Sequence, residues 1–354
     1  MKLTRFQKKW FGQNWKNLAL LAFLILAVYF NSLKNEFVSG DIPELLNDIN
    51  LGSFNHVFSR SLIFLRYFVY FIIYKMAGLN PLFFRISNII FHLGTTLLLY
   101  AVLSLTINSS LAMLVAAIFA VHPIQTETVA WISGGVYAQY SFFLLLSLFL
   151  YLLPKKQKKF PSLSFFVFLA ALLSSEKAII FPLILFSWEL SLAKIKRNWQ
   201  KLIPFFSLSL IWGLFLLSRI PQRLAAFQIE PPTTGIRFNP FIQIPIAITS
   251  YLQLIFWPDK LTLYHSEMSF TPTEFVIRAG IFILYLACLF YFFKKNRRVF
   301  FWLSFFLISL LPTLTPFGVS WIIAERYVYL GTIGIFVAIG LGFKKLMEIK
   351  KLRP

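Results

Sequence analysis

Hydrophobic residues in this chain gather into long blocks separated by short polar or basic segments. Blocks long enough to cross, or nearly cross, a ~30 Å hydrocarbon core cover 18–33, 81–105, 111–121, 136–153, 161–175, 178–192, 202–218, 275–293, 300–316 and 327–343. Two further apolar stretches, 59–76 and 241–257, lie between them. In lipid every backbone N–H and C=O must find its partner within the protein, so spanning blocks of this kind predict helices. The expected fold is an all-α polytopic membrane protein: a bundle of about ten transmembrane helices, roughly nine to twelve with the ambiguous stretches, and juxtamembrane helices in the outer loops.

Composition agrees with that solvent. The 354 residues are 58% hydrophobic and 19% aromatic, with a mean hydropathy of +0.73, which excludes an ordinary soluble domain. Lys and Arg number 34 against 13 Asp and Glu, giving a net charge of +21. Such an excess raises nucleic acid as a partner, but charged residues make up only 13% of the chain and form no basic domain. Anionic membrane lipids are therefore the expected partner, and nucleic acid is not. Cys288 is the single cysteine, so no intrachain disulfide forms. The N-terminal stretch has a basic flank and an apolar block but no small-residue cleavage pattern, and it reads as a retained first span.

The basic residues cluster between blocks: Lys2 to Lys16, KKQKK at 155–159, KIKR at 194–197, KKNRR at 294–298, and Lys344 to Arg353. Cytoplasmic loops carry the excess of Lys and Arg. All five clusters fall on one side if 59–76 and 241–257 do not cross, which predicts a multi-pass protein of the cell (inner) membrane with a cytoplasmic N-terminus. A single integral membrane domain is expected over 1–354, with a first outer loop at 34–80 carrying a juxtamembrane helix and no appended soluble domain. The same topology puts Glu36, Asp41, Glu44, Asp48, Glu127, Glu176, Glu230, Asp259, Glu267, Glu274 and Glu325 outside, and only Glu189 and Glu348 inside. Acidic residues weigh little in orientation, so this sorting is independent of the rule that produced it.

Four outer stretches carry candidate chemistry. FVSGDIPELLNDIN places Asp41, Glu44 and Asp48 at helical spacing on one face, and Asp41, Pro43 and Glu44 also fit a helix N-cap with a capping box. A capped carboxylate remains rigid and keeps an oxygen for general-base work. IFAVHPIQTETVAWISGG breaks a helix at Pro123 and offers His122 and Glu127 in a short connection. With Asp41 these make a weak metal signature, two ligand types at irregular spacing, so no metal or other cofactor is indicated. LLSSEKAIIFP sets Glu176 and Lys177 at an outer turn, since a charge in the bilayer centre costs about 2.5–3.5 kcal/mol. WIIAERYVYLG puts Glu325 and Arg326 beside Trp321, Tyr327 and Tyr329. A fixed cation there opposes the positive-inside preference and points to an anionic partner. Arg60, Arg85, Lys177 and Arg326 are the outer cations, and a sugar linked to a polyprenyl phosphate suits them: the phosphate needs a cation, the attacking hydroxyl a base, and the lipid tail an apolar groove.

HPIQTETVAWISG resembles the HP-x-x-TE-x-V-x-W-I-x-G motif of the transmembrane and tetratricopeptide-repeat O-mannosyltransferases and their bacterial relatives, membrane glycosyltransferases of the GT-C class. FVSGDIPELLND, NPLFFRISNIIFHLGTTLLLY, YLQLIFWPDKLTLYHS and AERYVYLGTIG are similar to further family stretches in the same order. The resemblance covers about residues 20–343 and implies a GT-C-like bundle, a catalytic carboxylate in the first outer loop and a polyisoprenyl-phosphate sugar donor. On it, Asp41 is the catalytic residue. Arg326, with Arg60 or Lys177, holds the donor phosphate, and His122, Glu127, Glu176 and Glu325 position the site. The implied reaction is transfer of a mannose-like hexose to a protein Ser/Thr or glycan acceptor at the outer face, with inversion. The chain departs from the family at Gly40, where the first of an acidic pair stands, at Gly135, where an arginine is usual, and at Ser175, where a lysine is common. Two other classes compete: a transporter or flippase of lipid-linked sugars, which needs ionisable residues along a membrane path, and an inactive GT-C-like scaffold, motivated by Gly40 and Gly135.

Overall fold

A computed structural model describes residues 5–153, 161–193, 195–221, 239–265, 270–314 and 322–351. Glu230, Glu267, Trp321, Lys194 and the KKQKK cluster lie outside the described residues. Within them the chain is all helix and turn. The helices are α1 (Arg5–Tyr29), α2 (Phe54–Ser59), α3 (Phe64–Ala77), α4 (Pro81–Thr106), α5 (Ser109–Val121), α6 (Thr126–Ala130) and α7 (Val136–Leu152). After these come α8 (Ser162–Ser174), α9 (Phe181–Ser191), α10 (Ile195–Ser218), α11 (Pro240–Phe256), α12 (Pro272–Lys295), α13 (Arg297–Leu310) and α14 (Thr332–Lys351).

Every one of the ten predicted blocks contains a helix, and local chemistry sets where several begin. Asn80, Asn108, Asn239 and Asn296 each cap the helix that follows, their side-chain oxygens accepting backbone N–H groups of the first turn. Pro81, Pro240 and Pro272 occupy first helical positions, where a missing N–H costs nothing. Thr271 and Glu274 close a reciprocal capping box on α12. Five helices among the described residues are long and apolar enough to cross a membrane by themselves. Ser109–Val121 and Pro123–Ala130 make a sixth if taken as one span bent by 55°. Of the remaining blocks, α8 has 13, α9 11 and α13 14 residues, α8 ending at the polar turn around 175–177, while α14 has 20.

One apolar core runs through α4, α5, α7, α8, α9, α11, α13 and α14. Hydrogen bonds between helices reinforce it where water is absent: Ser147 with Ser164 at 2.9 Å, Ser187 with Ser304 at 2.8 Å, and His92 Nδ1 with the Tyr329 hydroxyl at 2.7 Å. Gly334 lets α14 approach α13 so closely that a Cβ there would lie 2.3 Å from the Trp302 carbonyl oxygen. The stretch at 241–257 sits inside the bundle as α11, with ten of its 17 residues buried. α12 is the opposite case: of its 24 residues only Tyr285 is buried, and its apolar side chains face outward. The structure is thus an all-α integral membrane bundle, with the loops before α4, between α5 and α7, after α11 and before α14 meeting at one end.

Candidate active site

The connection between α5 and α7 organises that end. Pro123 stops α5, and the chain folds through a 3-10 turn, α6 and a second 3-10 turn at Ser133–Gly135 before α7 starts. His122 caps the first turn, its Nδ1 accepting the Ile124 N–H at 3.3 Å while Nε2 donates to the Ile255 carbonyl at 3.0 Å. Both ring nitrogens thus serve the backbone, and the ring lies 5.1 Å from Phe336. Burial lowers the His122 pKa, in keeping with a neutral ring. His122 therefore ties α5 to the end of α11.

Glu127, on α6, faces the segment before α14. It accepts the Arg326 backbone N–H at 2.6 Å through Oε2 and pairs with the Arg326 guanidinium through Oε1. Arg326 also lies 5.1 Å from the ring centroids of both Trp131 and Tyr327. Burial opposes the guanidinium charge, but the Glu127 carboxylate more than offsets it, pushing the Arg326 pKa above the ordinary arginine range. Arg326 is fixed as a cation. Nearby, Tyr137 packs 5.8 Å from Tyr327 and carries Lys177 over its face at 5.3 Å. Lys177 and Glu176 occupy the 3-10 turn between α8 and α9 and approach each other to 3.8 Å.

Asp41 is completely buried. Its Oδ1 accepts two bonds from Ser133, the backbone N–H at 2.8 Å and the hydroxyl at 2.6 Å, and its Oδ2 accepts the Val38 N–H at 3.2 Å. The expected capping box is not formed. The Asp41 side chain caps nothing in its own turn, a π-helical one at Ile42–Leu46, and reaches backward and across to Ser133 instead. The three carboxylates are set differently: Asp41 is buried, Glu44 interacts with Ser133, Arg66 and Asp41 while burial raises its pKa, and Asp48 pairs with His56 at 2.9 Å. Just before Asp41, Ser39 holds a left-handed backbone (φ 52°) and its hydroxyl meets Tyr264 at 2.6 Å, joining the first loop to the late one.

Arg85 completes the junction. From the first turns of α4 its Nε donates to the Ala130 carbonyl at 3.0 Å, and its two terminal nitrogens donate to the carbonyls of Asn35 and Glu36. Trp131 Nε1 donates to the Val38 carbonyl at 3.2 Å. Between these pieces lies a cavity of about 320 Å³ bounded by Val38, Arg85, Glu127, Trp131, Thr262 and Glu325. Glu325 accepts the Thr262 N–H at 2.6 Å and lies 3.4 Å from His265. Of the cations proposed for phosphate, Arg326 reaches this junction and Lys177 approaches it through the tyrosines. Arg60 is exposed and rests on Tyr67. Arg85 alone among the four lines the cavity. Among the described residues no group of three or more His, Cys, Asp or Glu is placed to hold a metal ion.

Two participants escaped the sequence. Ser133 stands within the motif but carries no chemical signature of its own. Arg66 is buried on α3, donating to Ile132 O at 2.6 Å, Asn88 Oδ1 at 3.2 Å and Gln139 Oε1 at 3.3 Å. A lone arginine in the apolar run SLIFLRYFVY was its available signal. Its Asn88 partner explains Gly135: a Cβ there would sit 1.7 Å from Asn88 Oδ1, so only glycine fits. A Cβ on Gly40 would lie 3.0 Å from the Trp131 ring, a tight contact but a far milder one.

The bundle and its loop junction define an all-α integral membrane protein, and a third of the chain is similar to O-mannosyltransferases. Over 139 residues the chain is 32% identical to protein O-mannosyl-transferase TMTC1 of Mus musculus, and over 136 residues 33% identical to TMTC1 of Homo sapiens. Over 138 residues it is 27% identical to protein O-mannosyl-transferase TMTC3 of Mus musculus. The similarity covers 33–34% of this chain and spans 14–15% of the length of those relatives. No family profile matches the chain, and no solved structure does.

Proposed function

We propose that this chain is a membrane glycosyltransferase that moves a mannose-like hexose from a polyprenyl phosphate to a protein Ser/Thr or glycan hydroxyl at the outer face of the cell membrane, inverting the anomeric centre and requiring no cofactor. The N-terminus and the basic helix ends face the cytoplasm in this reading, in keeping with the positive-inside preference. The single observation that carries it is the junction itself. A buried carboxylate, Asp41, and two buried arginines, Arg85 and Arg326, are all anchored to the 126–133 connection, which comes from the motif shared with O-mannosyltransferases.

Asp41 is the base. The acceptor hydroxyl displaces Ser133 Oγ from Oδ1 and gives its proton to the carboxylate, its oxygen bonds the anomeric carbon, and the bond from that carbon to the phosphate oxygen breaks with its electron pair on the phosphate. Arg85 and Arg326 face the charge that develops there, and Lys177 and Arg60 draw the anionic donor in. Glu127, Glu325, Glu176 and His122 fix the loops. The gathering of Asp41, Glu127 and Glu325 at one junction supports transfer chemistry there over a path for charge through the membrane.

The test is transfer in proteoliposomes holding the purified chain, radiolabelled mannosyl polyprenyl phosphate and an acceptor peptide. Label should appear on peptide with the anomeric configuration opposite to the donor. Label that crosses the bilayer while remaining on lipid would overturn the reading in favour of a flippase.

A further inference from the structure

Toward the end of the bundle away from Asp41, α12 packs on α11 through Arg278 and on α13 through Tyr285 yet leaves a groove of about 1010 Å³ against α11, α13 and α14. α14 starts at Thr332, bonded to Gln125 of the junction, so its residues 344 and 345, about 18 Å further along at 1.5 Å per residue, mark the far end. The groove wall is apolar, with Leu284, Cys288 and Ile339 along it. Of its two tyrosines, Tyr285 and Tyr291, the Tyr285 hydroxyl donates to the Leu303 carbonyl at 2.6 Å. The space is open rather than packed: a Cβ on Gly342 would meet nothing within 4 Å.

Charge is confined to the mouth. Lys295, Arg298, Lys344 and Lys345 surround it and face a single carboxylate, Glu348. Among the described residues only Lys344 of the four is in an ion pair, with Glu348 at 3.9 Å. From Lys295 to Ile281 the groove follows α12 for about 21 Å at 1.5 Å per residue. That depth fits the acyl region of one leaflet, roughly half of a ~30 Å core plus the headgroup level. A phosphate at four cations above two hydrocarbon chains satisfies both parts of the site, and basic pockets between spans are where anionic lipid headgroups dock.

We propose that the groove between α11, α12, α13 and α14 is a binding site for an anionic phospholipid of the leaflet opposite the candidate active site, its phosphate held by Lys295, Arg298, Lys344 and Lys345. The site stands independently of the transfer reaction. It is tested on the full chain in nanodiscs made from equal parts phosphatidylglycerol and phosphatidylcholine, with retained lipid read by native mass spectrometry. The wild type should retain phosphatidylglycerol over phosphatidylcholine by about fivefold or more, the factor of a single basic residue at an anionic surface. Replacing the four cations by Gln should remove that preference. Gly342→Trp should expel both lipids by filling the groove. Lys196→Gln with Lys201→Gln, on α10 and outside the groove, should change nothing. Equal retention of the two lipids by the wild type overturns the proposal. So does an undiminished preference in either groove variant, or an equal loss in the α10 control.

Discussion

Asp41 and Ser133 are joined twice over 92 positions of sequence, the Asp41 Oδ1 accepting both the backbone N–H and the hydroxyl of Ser133. If Asp41 is the base, Asp41→Asn should lower turnover about 10²–10⁴-fold, the usual contribution of general-base catalysis, and leave donor affinity near wild type. Ser133→Ala keeps the backbone bond and removes only the hydroxyl that the acceptor displaces, so it should lower turnover far less than Asp41→Asn. Radiolabel transfer and donor binding measured on the same preparations check this. An Asp41→Asn variant above about a third of the wild-type rate would end the catalytic assignment, since loss of a base costs far more.

The Glu127–Arg326 pair makes a separate prediction about stability. Both side chains are buried, and removing one partner leaves an uncompensated charge, which costs about 3–5 kcal/mol. Glu127→Gln and Arg326→Met should each lower the thermal midpoint markedly, and the double variant should recover much of the loss. Activity should not return in the double variant, because the cation is gone. A double-mutant cycle with no coupling would show that the pair contributes nothing.

Gly135→Ala should destabilise the chain by about 1–3 kcal/mol through overpacking. The new methyl group collides with Asn88, whose amide donates to the Trp131 carbonyl at 2.9 Å and whose oxygen accepts from Arg66. Gly12→Ala, where a Cβ meets nothing, is the control. Equal thermal midpoints for the two variants would mean that the Asn88 cluster yields freely.

His122 predicts a pH effect with a definite sign. Its folded pKa is lowered by burial, so below the ordinary value of about 6.5 the unfolded chain takes up more protons than the folded one, and stability falls with falling pH. Above about 6.5 the histidine contributes no slope. Melting curves of wild type and His122→Gln, compared at pH 7.5 and 5.5, should diverge less at the lower pH. Parallel losses in both would remove His122 from the account.

Orientation is checked by labelling. In a Cys288→Ser background, cysteines placed at Ile49 and Met347, both well exposed, should react with impermeant reagent from opposite sides of the membrane. Labelling of both from one side would sink the single-face site.

Much of the fold is legible locally. Apolar blocks fix where helices lie, and Asn-Pro and Thr-Pro pairs fix where several begin, because both signals act within a few residues. Asp48 and His56, and Asp41 and Ser133, are pairings between segments, and nothing in FVSGDIPELLND distinguishes a cap from a cross-loop contact. The capping box failed for that reason: Ser133 offers two donors where the local turn offers one. Glu127 and Arg326 stand 199 positions apart, so neither local stretch encodes their pairing. Arg66 was missed because its run reads as apolar. The burial of α11 depends on neighbours that periodicity does not name.

α12 is about 36 Å long at 1.5 Å per residue, against a hydrocarbon core of ~30 Å. It is fastened to α11 through Arg278, which donates to Thr249, Ser250 and Gln253 near its start, and to α13 through Tyr285 and the one-residue connection at Asn296, while most of its surface stays exposed. A lipid-facing helix too long for its bilayer leans. Thin membranes should tip α12 over and thick ones draw it upright, so the span doubles as a gauge of bilayer thickness. Spin-label distances from α12 to α13 in short- and long-chain lipids should track it.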